Sequence, residues 1–400
     1  MILLFDVDGV LVENRAYRAG IQQTTRYFSR RLGLQAREPS EAEIDVFEAE
    51  SITVEWDSCA IVTAALLLER LQAEARTVAG RARLAALAPD FWRFLAALPE
   101  RRPIKSSIDF VALARRVGAA TRANRLLPAR AALGMYLEDL ARQDRLPQAL
   151  AQPLLEHLLG RVYDIDYSPA MQVFQNYTLG DEQYAQYYAL APRVTGAALL
   201  ESLDRPLLRP DMCQAVLARQ ARGELFPVVF TARPSRTPIE AGGFGRGYTP
   251  ESEIGARLAG LESVPVMGFG KLDWLARRVG LAGSDLVKPS PVHAMAAFGA
   301  ARTGLEVESI KAALAVERGD HLRYPLTACA GQDVHVFEDS PSSLRGVALA
   351  VERLNRLGLG LTLTRHGVAP AGSPKRATLA EAADCVHADV NDAVESILNL

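Results

Sequence analysis

Residues 1–12 read Met1-Ile2-Leu3-Leu4-Phe5-Asp6-Val7-Asp8-Gly9-Val10-Leu11-Val12. The apolar run from Ile2 to Phe5 passes directly into two aspartates and a glycine, the pattern of a buried strand delivered into a turn. Four consecutive apolar residues without polar alternation fit a strand covered on both faces, as strands of a parallel sheet are. Such a strand needs partners, and the sequence offers none nearby. From about Arg15 to Leu203 the chain is rich in Ala, Leu and Arg at helical period, with almost no β-branched runs. The stretch predicts helices throughout, about seven to nine of them. Ser40 and Glu43 make a capping box after Pro39, Pro89-Asp90 opens another helix, and Gly118 and Gly160 read as helix stops.

After Pro206 the pattern alternates. A helix from about Pro210 to Arg222 precedes a strand from Leu225 to Phe230. A strand Val264 to Met267, a helix Lys271 to Val279, a strand leading to Val287 and a helix Pro291 to about Arg302 follow. Strand Val334 to Phe337, helix Ser343 to Leu357, strands Gly360 to Leu363 and Cys385 to His387, and helix Asn391 to Leu398 complete the series. Strands alternating with helices imply a parallel sheet covered on both faces. The simplest closure returns the first strand to that sheet. The expected fold is therefore α/β: a Rossmann-like parallel sheet flanked by helices, with a large all-α domain inserted after the first strand. The expected domains are residues 1–13 with 206–400, and the helical insertion 14–205. The glycine tract Gly242 to Gly247 reads as a loop, and Gly268-Phe269-Gly270-Lys271 fails the P-loop pattern because Leu272 stands where Ser or Thr belongs.

Composition narrows the function classes. The 400 residues carry a formal charge of −2, with 49% apolar and 23% charged side chains, which is ordinary globular composition. No apolar run approaches the ~18 residues of a membrane span, and residues 1–4 are too short and uncharged for a signal peptide, so a soluble, cytoplasmic chain with no membrane partner is expected. The near-neutral balance lacks the basic footprint of a nucleic-acid binder. Four cysteines without a C-x-x-C and six histidines without an H-x-x-x-H argue against disulfide scaffolds and structural zinc. Of 45 basic residues only five are lysines: Lys105, Lys271, Lys288, Lys311 and Lys375. A lysine in a chemically meaningful place is thus informative.

Ligands of open parallel sheets bind beyond the carboxyl ends of the strands. The polar residues expected there are Asp6 and Asp8, Thr231, Lys288, and Glu338 with Asp339. Four carboxylates gathered at one edge repel unless a cation or proton compensates them, and an all-oxygen donor set suits Mg²⁺. Thr231 adds a hydroxyl and Lys288 a fixed positive charge, as a bound dianion requires.

With FDVDGVLV at Phe5–Val12, VVFTAR at Val228–Arg233, VKPSP at Val287–Pro291 and VFEDSP at Val336–Pro341, the chain resembles the haloacid dehalogenase (HAD) superfamily of phosphohydrolases. The resemblance covers the expected core, in motif order and spacing. It implies Asp6 as the nucleophile forming an aspartyl-phosphate and Asp8 as general acid and then base. It implies Thr231 and Lys288 on the phosphoryl group, and Mg²⁺ held by the Asp6 carboxylate, the Asp8 carbonyl and Asp339. Arg233, two residues after Thr231, reads either as a further phosphate-binding residue or as a surface arginine, and Glu338 either as a further metal ligand or as a hydrogen-bond acceptor behind the site. Dehalogenases of the superfamily lack the second aspartate and its phosphonatases carry alanine there, so Asp8 points to phosphate esters. A helical cap between the first two motifs is typical of the subfamily with phosphoglycolate phosphatase and β-phosphoglucomutase, although this insertion is about twice the usual size. The expected activity is hydrolysis of a small-molecule phosphate ester. A sugar phosphomutase shares every core residue, and a binding protein on an inactive core is the third reading.

Two patterns have bland explanations. Asp164-Ile165-Asp166 repeats the D-x-D spacing without the glycine or the preceding strand, as turn-forming aspartates do. Glu50, Ser51, Thr53, Glu55, Trp56 and Asp57 interrupt the helices and read as a solvated inter-helix turn, with a face toward the substrate as the alternative. His293, His321 and His335 read as structural.

Overall fold

The computed structural model describes residues 1–77, 79–80, 82, 90–98, 103–142 and 146–398. The chain divides into two compact units, Met1–Arg15 with Leu203–Leu400, and Ala16–Ser202.

The first unit is built on a six-stranded sheet. Its strands are β1 (Ile2–Phe5), β4 (Phe226–Phe230), β5 (Val266–Met267), β6 (Asp333–Glu338), β7 (Thr362–Val368) and β8 (Cys385–His387), in the spatial order β5-β4-β1-β6-β7-β8. Every adjacent pair is parallel. The opening strand is central: Leu4 lies opposite Val228 on one side and Val336 on the other. Its pleat explains the unbroken apolar run. Ile2 and Leu4, with Val228, Phe230, Val334 and Val336, join one buried core cluster, whereas Leu3 and Phe5, with Val229 and Phe337, join the other. Helices Phe269–Arg278, Pro291–Thr303, Glu306–Glu317 and Pro341–Arg356 contribute to the first cluster; Pro210–Ala221 and Val390–Leu398 contribute to the second. The α/β expectation with helices on both faces is met.

Some details differ from the sequence reading. No strand leads to Val287; a 3-10 turn at Gly283–Asp285 carries the chain there, and Leu286 joins the core from that turn. An apolar pair can be buried without a ladder, which is why Leu286-Val287 mimics a strand. A two-stranded antiparallel pair, β2 (Val12–Glu13) with β3 (Arg205–Pro206), was not legible. It joins the segment leaving the sheet to the segment returning to it, and Leu207 N–H donates to the Leu11 carbonyl at 2.8 Å.

The second unit is helical. Its described helices include Ala16–Arg31, Glu41–Ala49, Glu55–Ala75, Phe91–Ala97, Phe110–Asn124, Pro128–Ala141, Gln148–Leu159, Pro169–Leu179 and Asp181–Tyr188. The Ser40/Glu43 capping box is present, and Gly160 caps Gln148–Leu159. Of the Pro89-Asp90 start, Pro89 lies outside the described residues, and Asp90 caps Phe91–Ala97 through Arg93 N–H. Gly118 does not stop a helix; it lies within Phe110–Asn124, where a Cβ would meet the Glu50 carboxylate at 2.4 Å. The glycine serves close packing, and Glu50 continues to Arg122 at 2.8 Å. Asp57 is buried and accepts from Ala129 N–H at 3.1 Å and from the Tyr163 hydroxyl, so part of the polar Glu50 to Asp57 stretch braces the unit internally. Asp164 accepts from Asp166 N–H at 3.0 Å, confirming the second D-x-D as a turn. Among the described residues no helix is long and apolar enough to cross a membrane, and all four cysteines are free.

Candidate active site

Because β4, β1 and β6 are adjacent and parallel, the residues that follow them meet at one edge of the sheet. Asp6 leaves β1 with its N–H still donating to Phe337 O at 3.1 Å, so the ladder fixes its backbone. The turn at Gly9 has φ +73°, a left-handed conformation that glycine adopts without penalty. A Cβ there would also approach Asp339 Oδ2 to 3.0 Å. Gly9 thus lets the turn after the first strand close against the end of the β6 segment.

Lys288 arrives from the loop before helix Pro291–Thr303. Its Nζ lies 2.6 Å from Asp6 Oδ1 and 2.7 Å from Glu338 Oε1, and donates to Phe230 O at 3.3 Å. An ammonium has three hydrogens, and these three partners engage them. Lys288 therefore acts on any further anion chiefly as a nearby charge. Burial works against that charge, but the Asp6 and Glu338 carboxylates win and hold its pKa above the ordinary lysine value. Behind it, Lys288 N–H donates to His293 Nδ1 at 3.0 Å. That contact makes Nδ1 the acceptor and Nε2 the donor to Met267 O, at 2.9 Å. Burial, with a smaller push from Lys288, takes the His293 pKa down to about 3. A depressed histidine pKa means neutrality throughout the ordinary range, with stability lost as pH falls from about 6.5 toward 3. The expected outcome is a His293 imidazole NMR signal that does not titrate between pH 8 and pH 5; a midpoint near 6.5 would contradict this arrangement.

The acidic side of the site carries excess negative charge. Asp6, Glu338 and Asp339 each offer an oxygen, all within 4.8 Å of one another. Burial raises the Asp6 pKa; Lys288 partly offsets this, and the charges of Asp8 and Asp339 add to the rise. Burial and then the Asp6 charge drive Glu338 well above the ordinary carboxylate range. One buried ammonium cannot neutralise both Asp6 and Glu338, so a proton or a second cation must. Glu338 Oε2 is buried without a hydrogen-bond partner, an orphan acceptor of the kind a metal ion satisfies. Three carboxylates with no thiol or imidazole make a donor set that fits a hard divalent cation. Asp339 also receives Lys375 Nζ at 2.7 Å, a contact that sequence reasoning missed although lysine is scarce here.

Thr231, buried directly after β4, accepts Arg233 N–H at 3.2 Å. Arg233 does not lie in the carboxylate trio. Its Nε contacts both Asp8 oxygens at 3.1 and 3.0 Å, and its NH2 nitrogen donates to Asp8 Oδ1 at 2.6 Å and to Asp204 Oδ2 at 3.1 Å. Asp8 is thereby turned toward the arginine while Asp6 faces Lys288. The two aspartates of one motif occupy different electrostatic settings. The Gly242 to Gly247 tract has no strand or α-helix of its own, and Lys271 pairs with buried Glu306 rather than joining this edge.

No family model matches the sequence, and no curated protein matches it. Two solved structures are similar in architecture. One is an X-ray structure of a Northeast Structural Genomics Consortium target, with TM-score 0.55 and 14% identity over 100% of this chain and 98% of that one. The other is described as phosphatase Tt82 from Thermococcus thioreducens, with TM-score 0.44 and 14% identity over 100% and 99%. The first likeness is one of fold, extending along the whole chain.

Proposed function

We propose that the protein is a Mg²⁺-dependent hydrolase of the haloacid dehalogenase type, acting on a small organic phosphomonoester through an aspartyl-phosphate. The observation that carries this reading is the convergence of residues from four separated motifs at one sheet edge, with Lys288 between Asp6 and Glu338 and Asp8 held apart from them. In the proposed reaction an Asp6 oxygen attacks phosphorus, the ester P–O bond breaks, and the leaving alkoxide takes a proton from Asp8. Water then attacks the acyl phosphate, Asp8 takes its proton, the bond to Asp6 breaks and inorganic phosphate leaves. Thr231 offers its hydroxyl hydrogen to a phosphoryl oxygen. Lys288 lowers the cost of bringing an anion to a buried carboxylate. Mg²⁺ held by Asp6, Glu338, Asp339 and the Asp8 carbonyl would supply the remaining positive charge.

β2 directly follows the Asp6 to Leu11 turn and is paired with β3, so the chain leaves and re-enters this unit next to the segment that carries Asp6 and Asp8. The test is phosphate release across a panel of phosphomonoesters with and without Mg²⁺. Isomerisation of a sugar phosphate without release would select a mutase. Silence from folded, Mg²⁺-loaded protein would favour a binding role. Titration calorimetry of Asp339→Ala should register Mg²⁺ affinity at least about tenfold weaker, since one of three carboxylates is gone. Unchanged affinity would remove Asp339 from the metal site.

A further inference from the structure

Asp204 lies immediately before β3, 1% exposed, in a segment where no motif drew attention to it. Its two oxygens do different things. Oδ1 accepts Arg15 N–H, at 3.0 Å, from the segment leaving the sheet. Oδ2 accepts Arg233, whose guanidinium grips Asp8. Arg233 is pinned at its main chain as well: its N–H donates to Thr231 Oγ1, and its carbonyl accepts Phe269 N–H at 3.0 Å and the Ser252 hydroxyl at 3.0 Å. What remains to be fixed is the plane of the guanidinium, a rigid fork whose direction determines where its partner carboxylate sits.

We infer that Asp204 is a positioning residue for the general acid: by accepting from the same NH2 nitrogen of Arg233 that donates to Asp8, it fixes the plane of the fork and sets where the Asp8 carboxyl meets the leaving oxygen. The inference rests on the hydrolase reading and extends it to a residue outside the four motifs. Asp8 is short, and its side chain is 33% exposed, whereas those of Arg233 and Asp204 are 1% and 0% exposed. The buried pair is the rigid part and Asp8 the part that needs holding. A general acid displaced by a fraction of an ångström loses much of its effect.

Asp204→Asn tests this with little change of volume. The carbonyl of the amide can still accept Arg15 N–H, but the NH₂ group faces the Arg233 nitrogen that also holds Asp8 and no longer fixes the plane of the fork. The readout is kcat/KM for two esters, because this ratio covers steps only through departure of the leaving group. An alkyl phosphate such as glycerol phosphate leaves as a poor alkoxide and needs its proton, whereas p-nitrophenolate departs without one. Asp204→Asn should lower kcat/KM about tenfold or more for glycerol phosphate and less than about threefold for p-nitrophenyl phosphate. Competitive inhibition by inorganic phosphate should be unchanged. Arg233→Lys, which keeps the charge and loses the fork, should show the same selectivity and serves if Asp204→Asn fails to fold. Asp204→Glu should restore part of the alkyl ester activity. Equal losses on both esters, weakened phosphate inhibition or wild-type behaviour in Asp204→Asn would overturn the inference while leaving the hydrolase reading intact. A wild-type enzyme that cleaves neither ester would overturn that reading, and the inference with it.

Discussion

Asp6→Asn should reduce turnover by about four orders of magnitude or more, the scale at which loss of a covalent nucleophile is felt. The amide carries no charge to attack phosphorus with and is a poor ligand for a hard cation. The protein should still fold, since Asn is nearly isosteric and Asp6 N–H keeps its bond to Phe337 O. The variant retains Glu338 as a partner for Lys288 at 2.7 Å, so the ammonium is not stranded. Phosphate release from the best ester of the panel measures the loss. Beryllium fluoride, which mimics a phosphoryl group on a carboxylate, should bind wild type in the presence of Mg²⁺ and fail to bind Asp6→Asn. A variant that keeps more than a trace of activity would move the nucleophile elsewhere.

Lys288 carries the second large expected effect, on stability as well as rate. Replacing it with methionine leaves Asp6 and Glu338 buried together without the ammonium between them. Removing one partner of a buried charge cluster costs about 3–5 kcal/mol, so Lys288→Met should unfold at distinctly lower urea concentration. The sign of the pH dependence follows from the raised carboxylate pKa values. A carboxyl group that holds its proton more tightly in the folded than in the unfolded state contributes stability at low pH and loses it as pH rises. The deficit of Lys288→Met should therefore be smaller at pH 5 than at pH 8. Lys288→Arg keeps the charge, yet its planar fork cannot replace a compact ammonium that meets Asp6, Glu338 and Phe230 O in three directions. Activity should fall at least about a hundredfold. Near-normal kinetics in that variant would count against the site.

Much of this edge was legible because the residues involved follow short apolar strands. Ile2–Phe5, Leu225–Phe230 and Val334–Phe337 announce themselves as short apolar runs, and a polar residue directly after such a run is conspicuous. Lys288 stood out through the scarcity of lysine. What stayed hidden depends on contacts between segments remote in sequence. Arg233 was expected on the phosphate because it follows Thr231, but its side chain reaches Asp8 and Asp204, and no local pattern encodes that direction. Asp204 lies among ordinary residues at the end of the helical stretch. His293 was correctly read as structural, although its place behind Lys288 could not be foreseen. Two-residue strands such as β2 and β3 are too short for any periodicity. Gly118 misled because glycine inside a helix and glycine ending one look alike until the neighbouring Glu50 is known.

The β2/β3 pair bears on how the chain acquires its structure in time. β1 is the central strand, yet both of its neighbours are supplied from beyond the whole insertion. Contacts that distant are slow to form, since the intervening chain must first be brought into a loop. The entropic cost of a loop rises only logarithmically, by about 0.6 kcal/mol per doubling of its length. It falls sharply once the intervening segment is itself compact and its two ends are joined. Antiparallel pairing of Val12–Glu13 with Arg205–Pro206 is such a joint: it turns a long-range search into a local one. With the two connections joined, β1 can be captured between β4 and β6 without the insertion being spanned as an open loop.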